Sequence, residues 1–245
     1  MRMARRAVLW AVAALALLLL AFAAYALLRN RPEDLPWTAL DLNRPVGLFT
    51  ARKIAGLGDD PARCRALLER AGVRFDAMAP VEGAQPLCGY ADGVRFAGGG
   101  TRSIDYLPGA VTVACPVAAA LALWEWHVVQ PAAQRHFGVR VSAIEHFGSY
   151  SCRRIAGGGG EGWSQHATAD AIDIRAFRLA DARRIAVKQE WKGGDGAREA
   201  FLREVRDGAC GVFGTVLSPD YNAAHADHFH FDTAAAGRFG WRACR

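Results

Sequence analysis

None of the six cysteines stands in a Cys-x-x-Cys pair, which argues against a cysteine zinc ribbon or a thioredoxin-type redox motif. The ten prolines are scattered and form no repeat, so no fibrous polyproline segment is encoded. The glycine run Gly157–Gly160 is not followed by Gly-Lys-Ser/Thr, so it is no phosphate loop. It reads either as a mobile rim beside a site or as surface slack. Blocks of like charge are missing beyond the N-terminus. The formal net charge is +6, but residues 1–31 hold five arginines and no acid, leaving +1 for the rest. The basicity is mostly topogenic, and the body offers no basic block that argues for a nucleic-acid partner.

An uncharged run from Ala7 to Leu28 follows Arg2, Arg5 and Arg6. As a helix it spans roughly 33 Å at 1.5 Å per residue, enough for the ~30 Å hydrocarbon layer. The expected organisation is a cytoplasmic basic tail (1–6), a transmembrane signal anchor (7–28), a linker (29–50) and one domain (51–245). Arginines in front of the span place the N-terminus in the cytoplasm and the body outside. The rival is a secreted chain, cleaved at the Ala-x-Ala-like Ala21-Phe22-Ala23. The cysteines all lie in the exported part, and an even number in an oxidising compartment reads as three disulfides. Spacing does not choose among the 15 pairings; Cys64–Cys88 is the expected local loop.

Along the body, Asp60-Pro61 marks a helix start, with Asp60 as N-cap. Strands are expected at Val73–Phe75, Val111–Ala114, Val139–Ile144, Ile174–Phe177, Arg184–Trp191 and Val212–Leu217, and an amphipathic helix over Gly196–Asp207. The helix from Pro116 to about Val129 is so rich in Ala, Leu and Trp that it reads as buried, which makes Trp124 and Trp126 core rather than a sugar platform. His127 and His136 read as packing or surface residues, and His225 as an exposed loop residue.

Two stretches carry chemistry. Ser164-Gln-His166-Ala-Thr-Ala-Asp-Ala171-Ile-Asp173 puts a histidine on a loop and an aspartate at a strand start, with small residues between. Asp227-His228-Phe229-His230 puts two histidines on one face of a strand. Two His and one Asp with a fourth position open is the pattern of catalytic zinc.

The first stretch resembles the Ser-x-His-x-x-Gly-x-Ala-x-Asp motif of the zinc peptidases that include lysostaphin, the D-alanyl-D-alanine carboxypeptidases and the Hedgehog domain, and the second resembles their His-x-His. Ala169 stands where that motif has Gly, a departure that strains the loop if its φ is positive. Cys115-Pro116, Gly148–Arg153, Asp220-Tyr221-Asn222 and Gly240–Arg245 are similar to the bacterial extensin-like C-terminal domain family, over roughly Pro61 to Arg245. The resemblance implies an α+β fold, a small, mainly antiparallel sheet with flanking helices. It further implies a zinc (Zn2+) peptidase in which His166, Asp173 and His230 hold the metal. Asp227 or His228 is the general base, and Arg153 grips a substrate carboxylate or carbonyl, with Arg154 as fallback. On the periplasmic side of an inner membrane the expected substrate is the peptidoglycan stem peptide. The alternative is a metal-binding or purely structural disulfide-bonded wall domain without catalysis.

Overall fold

A computed structural model of the chain describes residues 2–96, 104–155, 162–234 and 243–245; Gly157–Gly160 and Gly240–Arg242 lie outside them. Helix α1 (Arg2–Asn30) is long and apolar enough to cross a membrane. It fits a membrane anchor or a signal sequence, and the three disulfides of the body fit an oxidising compartment. Residues 29–50 do not behave as a free spacer along their whole length. Pro32–Asp34 forms a 3-10 turn, Asp34 Oδ1 accepts from Leu48 N at 2.9 Å, and Leu42 is fully buried in the core. An apolar Leu at this point is worth more against the domain than in water.

The body opens with α2 (Thr50–Ala55) and α3 (Pro61–Arg70). Asp60 caps α3 by accepting from Arg63 N. Four short strands follow: β1 (Phe75–Ala77), β2 (Val81–Glu82), β3 (Gly89–Tyr90) and β4 (Gly93–Phe96). Next come β5 (Asp105–Leu107), β6 (Thr112–Ala114) and α4 (Cys115–Trp124). A π-helical turn (Glu125–Val129) joins α4 to α5 (Gln130–Phe137) without a break. Then come β7 (Val141–Gly148), β8 (Ala171–Leu179), β9 (Arg184–Ala186), α6 (Val187–Glu190) and α7 (Gly196–Ala209). Strands β10 (Thr215–Leu217), β11 (Phe229–Asp232) and β12 (Ala243–Cys244) end the described chain.

The architecture is mixed α+β. The main sheet runs β12-β10-β11-β8-β7-β5, with β9 beside β11 on the edge of β8. Its pairs are antiparallel except β10–β12 and β5–β7. A second sheet runs β1-β4-β6, and β2–β3 is a hairpin. Every residue of α4 is buried, as its composition requires. Trp124 packs its ring on Phe177, Phe213 and Phe231 and donates Nε1–H to Val205 O at 2.8 Å. The helices thus cover the sheet face that carries Ile172, Ile174, Phe229 and Phe231. The other face carries Asp173, His230 and Asp232.

Two expectations are corrected. Arg184–Trp191 is a strand only to Ala186. From Val187 it is helical, because Glu190 turns back to accept from Ala186 N. The cysteines pair Cys64–Cys115, Cys88–Cys152 and Cys210–Cys244, not Cys64–Cys88. Cys64 faces inward from α3, which packs against α4, so its neighbour is the first residue of α4. Cys88 sits in the β2–β3 hairpin and reaches the segment after β7.

Candidate metal centre

His166 is carried by a 3-10 turn, Gln165–Thr168. Ser164 caps that turn, its Oγ accepting from His166 N at 3.3 Å, which explains a Ser two residues before the His. The turn ends at Ala169 in the left-handed region, φ 60°. This is the position where glycine was the expected residue, and the chain accepts the strain of an alanine there. Ala169 O in return accepts from Ala114 N at 2.9 Å and from Ser149 Oγ at 3.3 Å, which locks the loop onto β6 and the end of β7.

Asp173 and His230 come from neighbouring strands. They are direct register partners of β8 and β11, so their side chains rise side by side from one face of the sheet. His230 Nδ1 lies 3.0 Å from Asp173 Oδ1, His166 Nε2 lies 3.1 Å from the same oxygen, and the two ring nitrogens are 3.2 Å apart. All three residues are buried.

The outer nitrogen of each ring is committed. His166 Nδ1 is 2.6 Å from Ser149 O; a carbonyl only accepts, so that nitrogen carries the proton. His230 Nε2 is 3.3 Å from Asp232 Oδ2 and donates likewise. The inner nitrogens are therefore the ones whose lone pairs face each other and a carboxylate, an arrangement that calls for a cation or a proton between them. Burial opposes charge on His230, but the bonds to Asp173 and Asp232 outweigh it and push its pKa up to about 9. Burial also opposes charge on Asp173, yet the two histidines hold it well below the carboxylate range. The separations suit a metal as well. With bonds of about 2.0–2.1 Å, tetrahedral ligand atoms stand about 3.3 Å apart, close to the 3.0–3.2 Å found.

The remaining residues singled out from sequence also come here. His228 Nδ1 is 2.8 Å from Asp227 Oδ1, and its Nε2 lies 3.6 Å from Asp173 Oδ1. Asp227 thus stands behind His228, on its far side from the triad. Arg153 Nη2 is 3.7 Å from Asp173 Oδ2 with its side chain half exposed. Its carbonyl accepts from Ser164 N, and Cys152 before it is tied to Cys88, so the guanidinium is anchored at the rim. Arg154 also lines the cleft, its Cζ 5.0 Å over the Trp163 ring. The cleft, about 830 Å3, is lined by Arg153, Trp163, Tyr221, His225 and His228 above the triad.

Three contributors were not read from sequence. Asp232 continues the alternation His228, His230, Asp232 on one strand face, which was the available signal. Ser149 acts through its backbone and left none. His225 is no exposed loop residue. It is half-buried, with its ring centroid 5.2 Å from His228 and 5.8 Å from His230. Burial and those two neighbours press its pKa down to about 4, so it stays neutral, with Nδ1 held by Asn222 Oδ1 at 2.7 Å.

No curated protein and no solved structure matches the chain. A family model does, the one described as "Extensin-like protein C-terminus", over residues 62–245. That span takes in both sheets, all three disulfides and every residue of the centre, and the chain belongs to that family.

Proposed function

We propose that the chain is a zinc-dependent peptidase acting on the stem peptides or cross-links of peptidoglycan, held at the periplasmic face of the inner membrane by α1. The observation that carries this reading is the convergence of His166 Nε2, His230 Nδ1 and Asp173 Oδ1, each within 3.2 Å of the others, at the floor of an open cleft. Two His and one carboxylate, with outer nitrogens bonded to a carbonyl and a carboxylate, suit zinc and leave a ligand position open. The motif likeness to the lysostaphin and D-alanyl-D-alanine carboxypeptidase group points to the same chemistry.

Zinc, when bound, supplies a Lewis acid that polarises a carbonyl and acidifies water. The chain supplies the rest. His228 has its Nδ1 proton fixed on Asp227, which presents Nε2 to the cleft as the proton acceptor. Asp227 orients that ring. This order favours His228 over Asp227 as the base, with Asp227 as a positioning residue. Arg153 stands at the rim with a planar donor pair suited to a carboxylate.

The test is mass spectrometry of muropeptides after incubation with the zinc-loaded full chain, beside a chelated control. Loss of a residue from a stem peptide, or opening of a cross-link, only in the zinc-loaded sample is the expected result. One zinc equivalent with no change in any muropeptide would instead support the non-catalytic wall domain.

A further inference from the structure

The face of the main sheet that carries the metal centre continues into a second cluster. Glu145 on β7 is almost fully buried and is surrounded by three arginines. Arg178 Nε is 2.8 Å from it, Arg184 Nε and Nη2 are 2.9 and 2.8 Å away, and Arg175 Nε is 3.3 Å away. The Arg184 hydrogen bond above all holds Glu145 down at about 2, so the carboxylate is ionised and cancels one of three positive charges. Glu190, the other acid that Arg184 feels, is engaged by Arg198. The arginine side chains remain between 36% and 48% exposed. Each guanidinium is thus anchored on Glu145 and still partly open to solvent.

Two bulges join this cluster to the centre. The β7–β8 register slips on either side of His146, leaving Arg175 as the extra residue of β8 and Phe147 as the extra residue of β7. The first slip brings Arg178 back onto the Asp173 face, which strict alternation from Asp173 would deny it. The two bulged side chains also meet, with Arg175 Cζ 5.2 Å from the Phe147 ring centroid. Phe147 is 52% exposed and its other contact is the catalytic-side His228, 5.7 Å away edge-on. A continuous strip therefore runs from the triad over His228 and Phe147 to Arg175, Arg178 and Arg184.

We propose that Arg175, Arg178 and Arg184 form a substrate subsite that takes the free carboxylates of an anionic wall polymer while a neighbouring bond lies in the metal cleft. This rests on the reading of the cleft as a peptidoglycan site. The partly open guanidinium groups suit carboxylates, and the exposed ring of Phe147 suits the apolar side of the same chain. Anionic lipid is the less fitting occupant, because the strip leads into the cleft.

The experiment is co-sedimentation of the detergent-solubilised full chain with peptidoglycan sacculi, native or with their carboxyls amidated. Wild type is expected to bind native sacculi about tenfold more tightly than amidated ones, the scale of one charge-assisted hydrogen bond, and to lose the difference in high salt. The double variant Arg175→Gln/Arg178→Gln keeps the paired Arg184–Glu145 contact, and so the fold, and should bind native sacculi only as well as wild type binds amidated ones. Arg175→Lys/Arg178→Lys should recover most of the difference. The preference for native over amidated sacculi should persist in chelator, which separates this subsite from the metal reading. Equal binding to both kinds of sacculi overturns the proposal. So does a double variant that folds and binds like wild type, or capture by phosphatidylglycerol vesicles with none by sacculi.

Discussion

His230 and Asp173 face each other across β11 and β8, Nδ1 3.0 Å from Oδ1, and this single register pairing sets both the charge state and the chemistry of the centre. Without metal the pair is an ion pair. His230 has its pKa pushed up from 6.5 to about 9. A raised histidine contributes stability that is complete below its ordinary value and is lost as pH rises through the folded one. In chelator the protein should therefore lose thermal stability between pH 7 and pH 10, on the order of 3 kcal/mol. Metal displaces the same proton. Zinc affinity should climb with pH up to about 9, with release of about one proton seen by calorimetry in two buffers. An affinity flat from pH 6 to 9 would refute the assignment of His230 as ligand.

The ligand set makes a separate prediction. His166→Ala, Asp173→Ala and His230→Ala should each abolish zinc retention in elemental analysis. Asp232→Ala should keep a weakened site, about 10–100-fold poorer in affinity, the usual cost of removing an outer partner of a ligating histidine. Equal retention by wild type and His166→Ala would sink the metal centre.

Ala169 gives a prediction about the loop rather than the metal. It is fully buried and sits at φ 60°. A β-branched side chain is both strained at positive φ and too large for the space. Ala169→Val should cost about 3 kcal/mol or more in urea unfolding. Ala169→Gly should stay within about 1 kcal/mol of wild type, because relief of the strain offsets the lost methyl and the added chain entropy.

The residues that were legible in the sequence are those whose neighbours are local. Asp60-Pro61, the apolar α4 and the alternation of β11 each announce themselves within a few positions. So does Ser164, which needs only its own turn. What was not legible depends on packing between distant segments. Cys64 finds Cys115 because α3 lies on α4, and Cys88 finds Cys152 because the β2–β3 hairpin reaches the end of β7. Sequence distance misleads there. His225 looked exposed because its loop is polar, yet the loop folds back so that its ring meets His228 and His230. The register slip that puts Arg178 on the Asp173 face is likewise invisible to a strict period of two.

The order of His228 and Asp227 yields the last prediction. Asp227 Oδ1 is 2.8 Å from His228 Nδ1, whereas it is Nε2 of His228 that approaches Asp173. If His228 moves the proton and Asp227 only orients it, the two losses differ in kind. His228→Ala should remove about 100–10,000-fold of turnover while zinc content stays near one equivalent. Asp227→Asn keeps the size and one acceptor oxygen but not the charge, so it should lose less turnover than His228→Ala rather than abolish it. Arg153→Ala should retain zinc too, and should raise KM chiefly for substrates that end in a free carboxylate beside the scissile bond. The comparison is zinc content beside muropeptide turnover across pH for the three variants. A His228→Ala protein with normal turnover and an Asp227→Asn protein with none would reverse the roles, making Asp227 the base. Were Arg153→Ala to fail equally on terminal and internal bonds, its role would lie in the contact with Asp173, 3.7 Å away, and not in gripping a chain end.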